Sequence, residues 1–388
     1  MKKKICIITG SRAEYGLLRR LISLVNHDHE LDLNLIVTGT HLSHEHGYTV
    51  DEIRNDGTPI TSEVEILLSS DTPQSVTKST GIAMISFADI YADIKPDLIV
   101  ILGDRFEILA AANAGHLSGI PIAHIHGGEV TEGAVDDAIR HSITKMSWWH
   151  FVATDEFKRR VVQLGEKPDR IFVTGGMGVD IVRNTKLKNR EDLEEELGIN
   201  FDKKNLLITY HPETLGSKDS SSIFKEIIMA LEELDRTNLF FTAPNSDAEG
   251  KTIAKMIEEF VERENNAFYF KSLGIINFLS MLQFVDAMVG NSSSGLLEAP
   301  SFKIGTINIG NRQKGRPKSE SIIDCDLEKS NILSAIKTIY TDDFQKLLRT
   351  AKNPYGDGGS SEKILSIIKN HSIPENLQKG FHDVHIGT

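Results

Sequence analysis

The stretch HGGEVTEGAVDDAIRH, His126 to His141, crowds His126, Glu129, Asp136, Asp137, Arg140 and His141 together. Side chains of these types can take a proton from one atom and return one to another. A second stretch has a different chemistry. MVGNSSSGLLEAP, Met288 to Pro300, starts as an apolar strand, breaks at Gly290, offers three serines in a row and carries Glu298 about one turn further on. A strand that passes through such a loop into a helix leaves backbone N–H groups unpaired at a helix N-terminus, where the dipole favours an anion. Ser292, Ser293 and Ser294 add hydroxyl donors, and Glu298 can accept from neutral hydroxyls such as those of a ribose. The expected ligand is a diphosphate joined to a ribose, held without a Walker lysine. The alternative is a plain serine N-cap; Arg12, His211 and Arg312 at other strand ends favour the anion site.

These groups need a frame that brings strand ends together. KICIITG, LDLNLIVTG, PDLIVILGD, PIAHIHGGE, WHFVAT and RIFVTGG are short, rich in Ile and Val and stopped by Gly, Asp or Thr, as strands are. Helical stretches such as EYGLLRRLISLVN and EILAAANAGHLSG lie between them. Near-continuous apolar strands alternating with helices mean a parallel sheet covered on both faces. The pattern pauses over Gly175 to Gly198, a glycine-rich turn and a charged segment that reads as a linker. It resumes with NLLITYHPE, LFFTAPNSD, AFYFKSLG, DAMVGNSSS and IGTINIGNR. The expected fold is α/β, with two doubly wound Rossmann-like domains facing a cleft. Residues 1–175 form the first, 176–365 the second, and a C-terminal helix within 366–388 joins the first.

In doubly wound sheets, ligands sit beyond the carboxyl ends of the strands. There the sequence places Arg12 and Glu14; Asp104 and Arg105; His126, Glu129, Asp136, Asp137, Arg140 and His141. The second half adds His211, Thr214, Asn245, Asp247, Arg312 and Arg316.

Composition bounds the rest. A chain of 388 residues, 40% hydrophobic and 25% charged, suits two ordinary globular domains. A net charge of −12 argues against a nucleic-acid or anionic membrane surface but not against a small anion met by a few local cations. Cys6 and Cys325 each lie in an apolar run, a reduced pattern that reads as cytoplasmic. TGGMGVD lacks the third glycine of a dinucleotide fingerprint, so no nicotinamide cofactor is expected. His124 and His126 alternate along one strand, yet no third ligand stands at a familiar spacing, so no metal is expected either.

Taken in order along the chain, GSRAEYG, LGDRFE, HIHGGEVTEGAVDDAIRHSITK, HPET, PNSD, GNSSSGLLE and GNRQKGR resemble the hydrolysing UDP-N-acetylglucosamine 2-epimerases. These serve bacterial sialic acid synthesis and form the epimerase half of the animal bifunctional enzyme. The resemblance implies glycosyltransferase-B architecture without metal or cofactor. It implies that Arg12, Arg105, His211, Asn245, Ser292, Ser293, Glu298 and Arg312 hold UDP, and that Asp104, Asp136 and Arg140 face the sugar. His126, Glu129 and His211 complete the expected catalytic set. Two positions depart: many relatives read HIEGGE, with Glu where this chain has His126, and some have Ser where it has Gly16. His126 or Glu129 must then do that glutamate's work, if the work is essential.

The implied reaction breaks the sugar C1–O bond, expels UDP and removes the C2 proton to give 2-acetamidoglucal, which water converts to N-acetylmannosamine. The rivals are the same reaction on a UDP-linked 2,4-diacetamido-trideoxyhexose, on the way to legionaminic acid, a non-hydrolysing epimerase, and a glycosyltransferase of the same fold. The expected partners are a UDP-sugar and water, with no nucleic acid and no membrane, in a homodimer or homotetramer.

Overall fold

The computed structural model describes residues 2–68, 70, 72–131, 135–212, 220–244, 248–374 and 376–384. The chain forms two compact units, Met1–Arg183 with Gly356–Thr388, and Asn184–Tyr355. In the first unit the described strands are β1 (Lys3–Thr9), β2 (Leu31–Thr38), β3 (Ser62–Val64), β4 (Leu98–Leu102), β5 (Ile122–Ile125), β6 (Trp149–Val152) and β7 (Ile171–Val173). They lie in the order β3-β2-β1-β4-β5-β6-β7, every neighbouring pair parallel. The second unit holds β8 (Asn205–Thr209), β9 (Asn238–Thr242), β10 (Ala267–Phe270), β11 (Ala287–Gly290), β12 (Gly305–Ile309) and β13 (Ile322–Cys325). Their order is β10-β9-β8-β11-β12-β13, again wholly parallel.

The strand sequences explain the layering. Side chains alternate across a strand. Ile5 and Ile7 of β1 therefore pack on one face, with Leu18 and Leu21 of helix Arg12–His27. Cys6 and Ile8 pack on the other, with Phe87 and Tyr91 of helix Pro73–Ile94. Both faces are buried, so β1 carries no polar alternation between Ile5 and Ile8. Cys6 and Cys325 are both buried free thiols.

Several boundaries differ from those expected. Gly175–Gly198 is not an unstructured linker: it contains helices Met177–Asn184 and Arg190–Leu197. The second is started by the Asn189 side chain, which accepts from Asp192 N–H at 2.8 Å, and stopped by left-handed Gly198. The last helix is Ser360–Asn370, with no helix among the described residues after it. It belongs wholly to the first unit, where Ile364 and Ile368 join the core face that holds Ile5 and Ile7.

Asp180 fastens this helix. Its two carboxylate oxygens accept from the N–H groups of Ser360 and Ser361 at 2.7 and 2.6 Å, all three residues buried. Asp180→Ala leaves two buried N–H groups without these acceptors, each worth roughly 1–3 kcal/mol. The expected loss is about 2–4 kcal/mol, read as a lower urea midpoint at unchanged slope. A loss below about 1 kcal/mol would show that the helix is held by packing alone.

Candidate active site

In each sheet the strand order reverses beside the first strand of its unit: between β1 and β4, and between β8 and β11. The carboxyl ends of such a pair bound a crevice in which ligands bind. The crowded residues sit at these two places.

In the first unit, β1 ends at Thr9 and the chain enters helix Arg12–His27 through Ser11, whose hydroxyl accepts from Glu14 N–H at 3.4 Å. Beside it, β4 ends at Leu102 and passes through left-handed Gly103 to Asp104 and Arg105. Asp104 meets Arg140, which reaches it from helix Val135–Met146. The same guanidinium donates to Glu129 O at 2.9 Å, Thr131 Oγ1 at 3.1 Å and Asp137 Oδ1 at 3.5 Å. Asp137 also accepts from Thr131 N–H at 2.7 Å and lies 3.4 Å from His141 Nε2. Burial raises the Asp104 pKa, Arg140 pulls it down, and the charges of Asp136 and Glu129 push it up again. Asp136 itself is exposed at the start of its helix.

His126 follows β5 with a left-handed backbone, φ 67°. Its Nε2 accepts from Met177 N–H at 3.2 Å, the first residue of helix Met177–Asn184, and its Nδ1 lies 3.4 Å from Glu129 Oε1. An acceptor Nε2 requires the proton on Nδ1, which then faces Glu129. His124 does not share this environment. It is buried between Thr144 Oγ1 at 3.0 Å and Gly103 O at 2.8 Å, and burial lowers its pKa to about 3. It is a neutral structural link between neighbouring strand ends.

In the second unit, Gly290 has φ 135°, and a Cβ there would stand 2.0 Å from Thr209 O. Only glycine lets β11 approach β8 so closely. The Asn291 side chain then clasps His211, accepting from its N–H at 2.7 Å and donating to its carbonyl at 2.8 Å. Arg312 Nη1 and Gln313 Nε2 donate to Asn291 O at 3.3 and 2.8 Å. A trans peptide whose carbonyl is held on one side turns its N–H, here that of Ser292, to the other. Ser292 Oγ accepts from Ser294 N–H at 3.3 Å. Glu298 has a buried oxygen, Oε2, without a hydrogen-bond partner among the described residues, and burial raises its pKa to about 7. A buried acceptor without a donor is a vacancy that a ligand hydroxyl can fill.

One expectation needs correction. The helix after the serines is one turn, Ser294–Leu297, followed by a 3₁₀ turn Ala299–Phe302 that contains Pro300. Its dipole is correspondingly small, so anion binding would rest on local N–H and hydroxyl donors. Arg140 pairs with Asp104 and Asp137, and Arg105 bonds Glu107 at 2.6 Å. Arg12 is turned outward onto Glu52 at 2.8 Å. Asn245, Thr214 and Asp247 lie outside the described residues. Asn291 and Glu107 are structural members of the two clusters that were not singled out; each stands inside a quoted motif, GNSSSGLLE and LGDRFE.

Two wholly parallel doubly wound units of this kind define a glycosyltransferase-B type architecture. A profile described as UDP-N-acetylglucosamine 2-epimerase matches residues 24–369, and the chain belongs to that family. It is 41% identical over 99% of its length to the whole of a GDP/UDP-N,N'-diacetylbacillosamine 2-epimerase (hydrolyzing) from Campylobacter jejuni subsp. jejuni serotype O:2. It is 36% identical to polysialic acid biosynthesis protein P7 of Escherichia coli, over 98% of each chain. The fold matches the crystal structure of UDP-GlcNAc 2-epimerase from Neisseria meningitidis bound to UDP-GlcNAc, at TM-score 0.75 and 20% identity, over 95% of this chain and 100% of the other. No helix among the described residues is long and apolar enough to cross a membrane.

Proposed function

We propose that the chain is a hydrolysing UDP-sugar 2-epimerase that splits its substrate into UDP and a free 2-epimerised sugar. The observation that carries this is the Asp104–Arg140–Asp137 cluster beside Glu129, joined to the family membership. The C2 proton of the sugar is too weak an acid to be removed alone. The C1–O bond therefore breaks ahead of it, its electron pair leaving on the diphosphate, and positive charge at C1 acidifies C2. Arg105 answers the charge that grows on the diphosphate. A carboxylate of the first unit takes the C2 proton, giving the glycal. Water then adds its oxygen at C1 while a proton returns to the opposite face of C2.

The 41% identity to a diacetylbacillosamine enzyme supports UDP-N,N'-diacetylbacillosamine as the sugar, on the way to legionaminic acid. The 36% identity to a polysialic acid protein supports the second reading, UDP-N-acetylglucosamine giving N-acetylmannosamine. Each nucleotide-sugar is incubated alone with the protein in D₂O, with the GDP-linked form as a control for the base. Free sugar carrying deuterium at C2, beside free UDP, supports the reading. Release without deuterium at C2 means direct hydrolysis, and no release without an added acceptor means a transferase.

Glu298 gives a separable prediction. The ribose contact is similar in ground and transition states, so Glu298→Gln should weaken UDP binding by roughly ten- to a hundredfold, with turnover at saturation little changed. The unliganded variant should also be more stable. The native carboxyl keeps its proton up to about pH 7, whereas the unfolded chain loses it near 4.5. Stability is therefore lost as pH rises across that window, and at pH 8 the glutamine removes the loss. The expected gain in melting temperature is roughly 2–4 °C. Lost turnover with unchanged affinity would contradict the ribose assignment.

A further inference from the structure

We propose that Glu14 and Glu107 are positioning residues forming a one-proton carboxyl pair beneath the loop Gly10–Arg12. Glu107 holds Arg105, and Glu14 carries the proton that keeps this arrangement. The inference rests on the reading that Arg105 meets the substrate diphosphate.

The backbone is shaped around these two side chains. Glu14 turns back from the first turn of its helix, and its Oε2 accepts from Gly10 N–H at 2.7 Å. Glu107, fully buried in helix Phe106–Leu117, lies against the other side of the same glycine: a Cβ at Gly10 would stand 2.6 Å from Glu107 Cγ and Oε1. At Gly39, which is left-handed, a Cβ would stand 2.6 Å from Gly10 O and 3.1 Å from Glu107 Oε1. Two glycines thus make the room that Glu107 occupies.

Charge decides the rest. Glu107 Oε1 accepts from Arg105 Nε at 2.6 Å, which leaves the two terminal guanidinium nitrogens for another partner. Glu107 Oε2 is buried without a hydrogen-bond partner among the described residues. Two buried carboxyls served by one arginine do not both ionise at neutral pH. Glu107 has the charge-assisted bond from Arg105. Glu14 has only a neutral peptide donor, Gly10 N–H, and keeps the proton. Burial first, and then the charge of Glu107, raise Glu14 to about 8, against the pull of Gly10 N–H and Arg105; Asp104 adds a smaller push upward. His41, at 3.0 Å from Thr9 Oγ1 next to this loop, is lowered to about 4 by burial and adds no charge near neutrality. Above pH 8 the second carboxylate competes for Arg105 and repels an incoming diphosphate. No present role of the acid–base cluster around Asp104 requires this pair, so the two are separable.

The test is UDP affinity by calorimetry at pH 7 and pH 9, where the nucleotide phosphates are already ionised. With a midpoint near 8, affinity of the native protein should fall about tenfold between the two. In Glu14→Gln, which keeps the shape without the titration, the fall should be less than about twofold. An equally steep fall in Glu14→Gln overturns the proposal. A second measurement needs neither nucleotide nor this variant. In Glu298→Gln, which removes a second carboxyl raised to about 7, an infrared band of a protonated carboxyl should disappear with a midpoint near pH 8. Absence of that band at pH 7 overturns the pair. UDP that does not bind the native protein at pH 7 refutes the reading of the site instead, and the infrared result then still decides whether the pair exists.

Discussion

Asp104→Asn should cut turnover at saturating substrate by about a hundredfold or more while leaving UDP affinity within about twofold, the pattern expected when a proton-transfer group is lost but binding is not. The asparagine keeps the shape, and Arg140 retains Glu129 O, Thr131 Oγ1 and Asp137 as partners. What disappears is a carboxylate whose proton affinity lies above that of an ordinary aspartate, because burial outweighs the pull of Arg140. Such a group is a stronger base than an exposed aspartate. The sign of the pH dependence follows. Turnover should fall on the acid side as the carboxylate gains its proton, and the fall should begin at a higher pH than an unperturbed aspartate would set. Stability runs the other way: with a folded pKa above the unfolded 3.8, it is full below 3.8 and lost as pH rises through the folded value. Deuterium exchange at C2, measured beside turnover, distinguishes the two halves of the reaction. If glycal and UDP accumulate in the variant, Asp104 serves hydration; if neither forms, it serves the first proton removal. Near-normal turnover in Asp104→Asn would remove it from the mechanism.

The strand ends were legible in the sequence because a strand buried on both faces is written as an unbroken apolar run, and the residue that stops it is visible. Ile5 to Ile8 followed by GSRAE, and Ala287 to Gly290 followed by NSSS, are both of this kind. Pairings among the charged groups were not legible. Arg140 stands one turn after Asp136, and that spacing suggests a helical ion pair. Asp136 instead lies exposed at the start of the helix, while Arg140 is buried and crosses to Asp104, 36 residues earlier. That partnership depends on β4 and β5 being neighbours, which no local pattern records. Arg105 and Asp104 are adjacent in sequence, yet Arg105 turns to Glu107, for which Gly10 and Gly39 leave room.

The same local logic separates His126 from Glu129. A left-handed backbone is strained for a residue other than glycine, and His126 holds it at φ 67°. Its ring is committed at both ends, Nε2 to Met177 N–H and Nδ1 toward Glu129. Protonating Nε2 would turn an acceptor into a donor facing another donor. His126 is therefore suited to hold Glu129 in place, and Glu129 to exchange the proton. Glu129→Gln should lose about a thousandfold in turnover, within the range usual for a general acid or base. His126→Ala should lose about tenfold, with lower stability by roughly 1 kcal/mol as Met177 N–H gives up its acceptor. His126→Gly relieves the backbone strain, so it should be the more stable of the two His126 variants while losing the same activity. Turnover, circular dichroism and UDP affinity measured on all three decide the matter. A folded, UDP-binding His126→Ala without activity, beside an active Glu129→Gln, would put the proton on His126 and reverse the two roles.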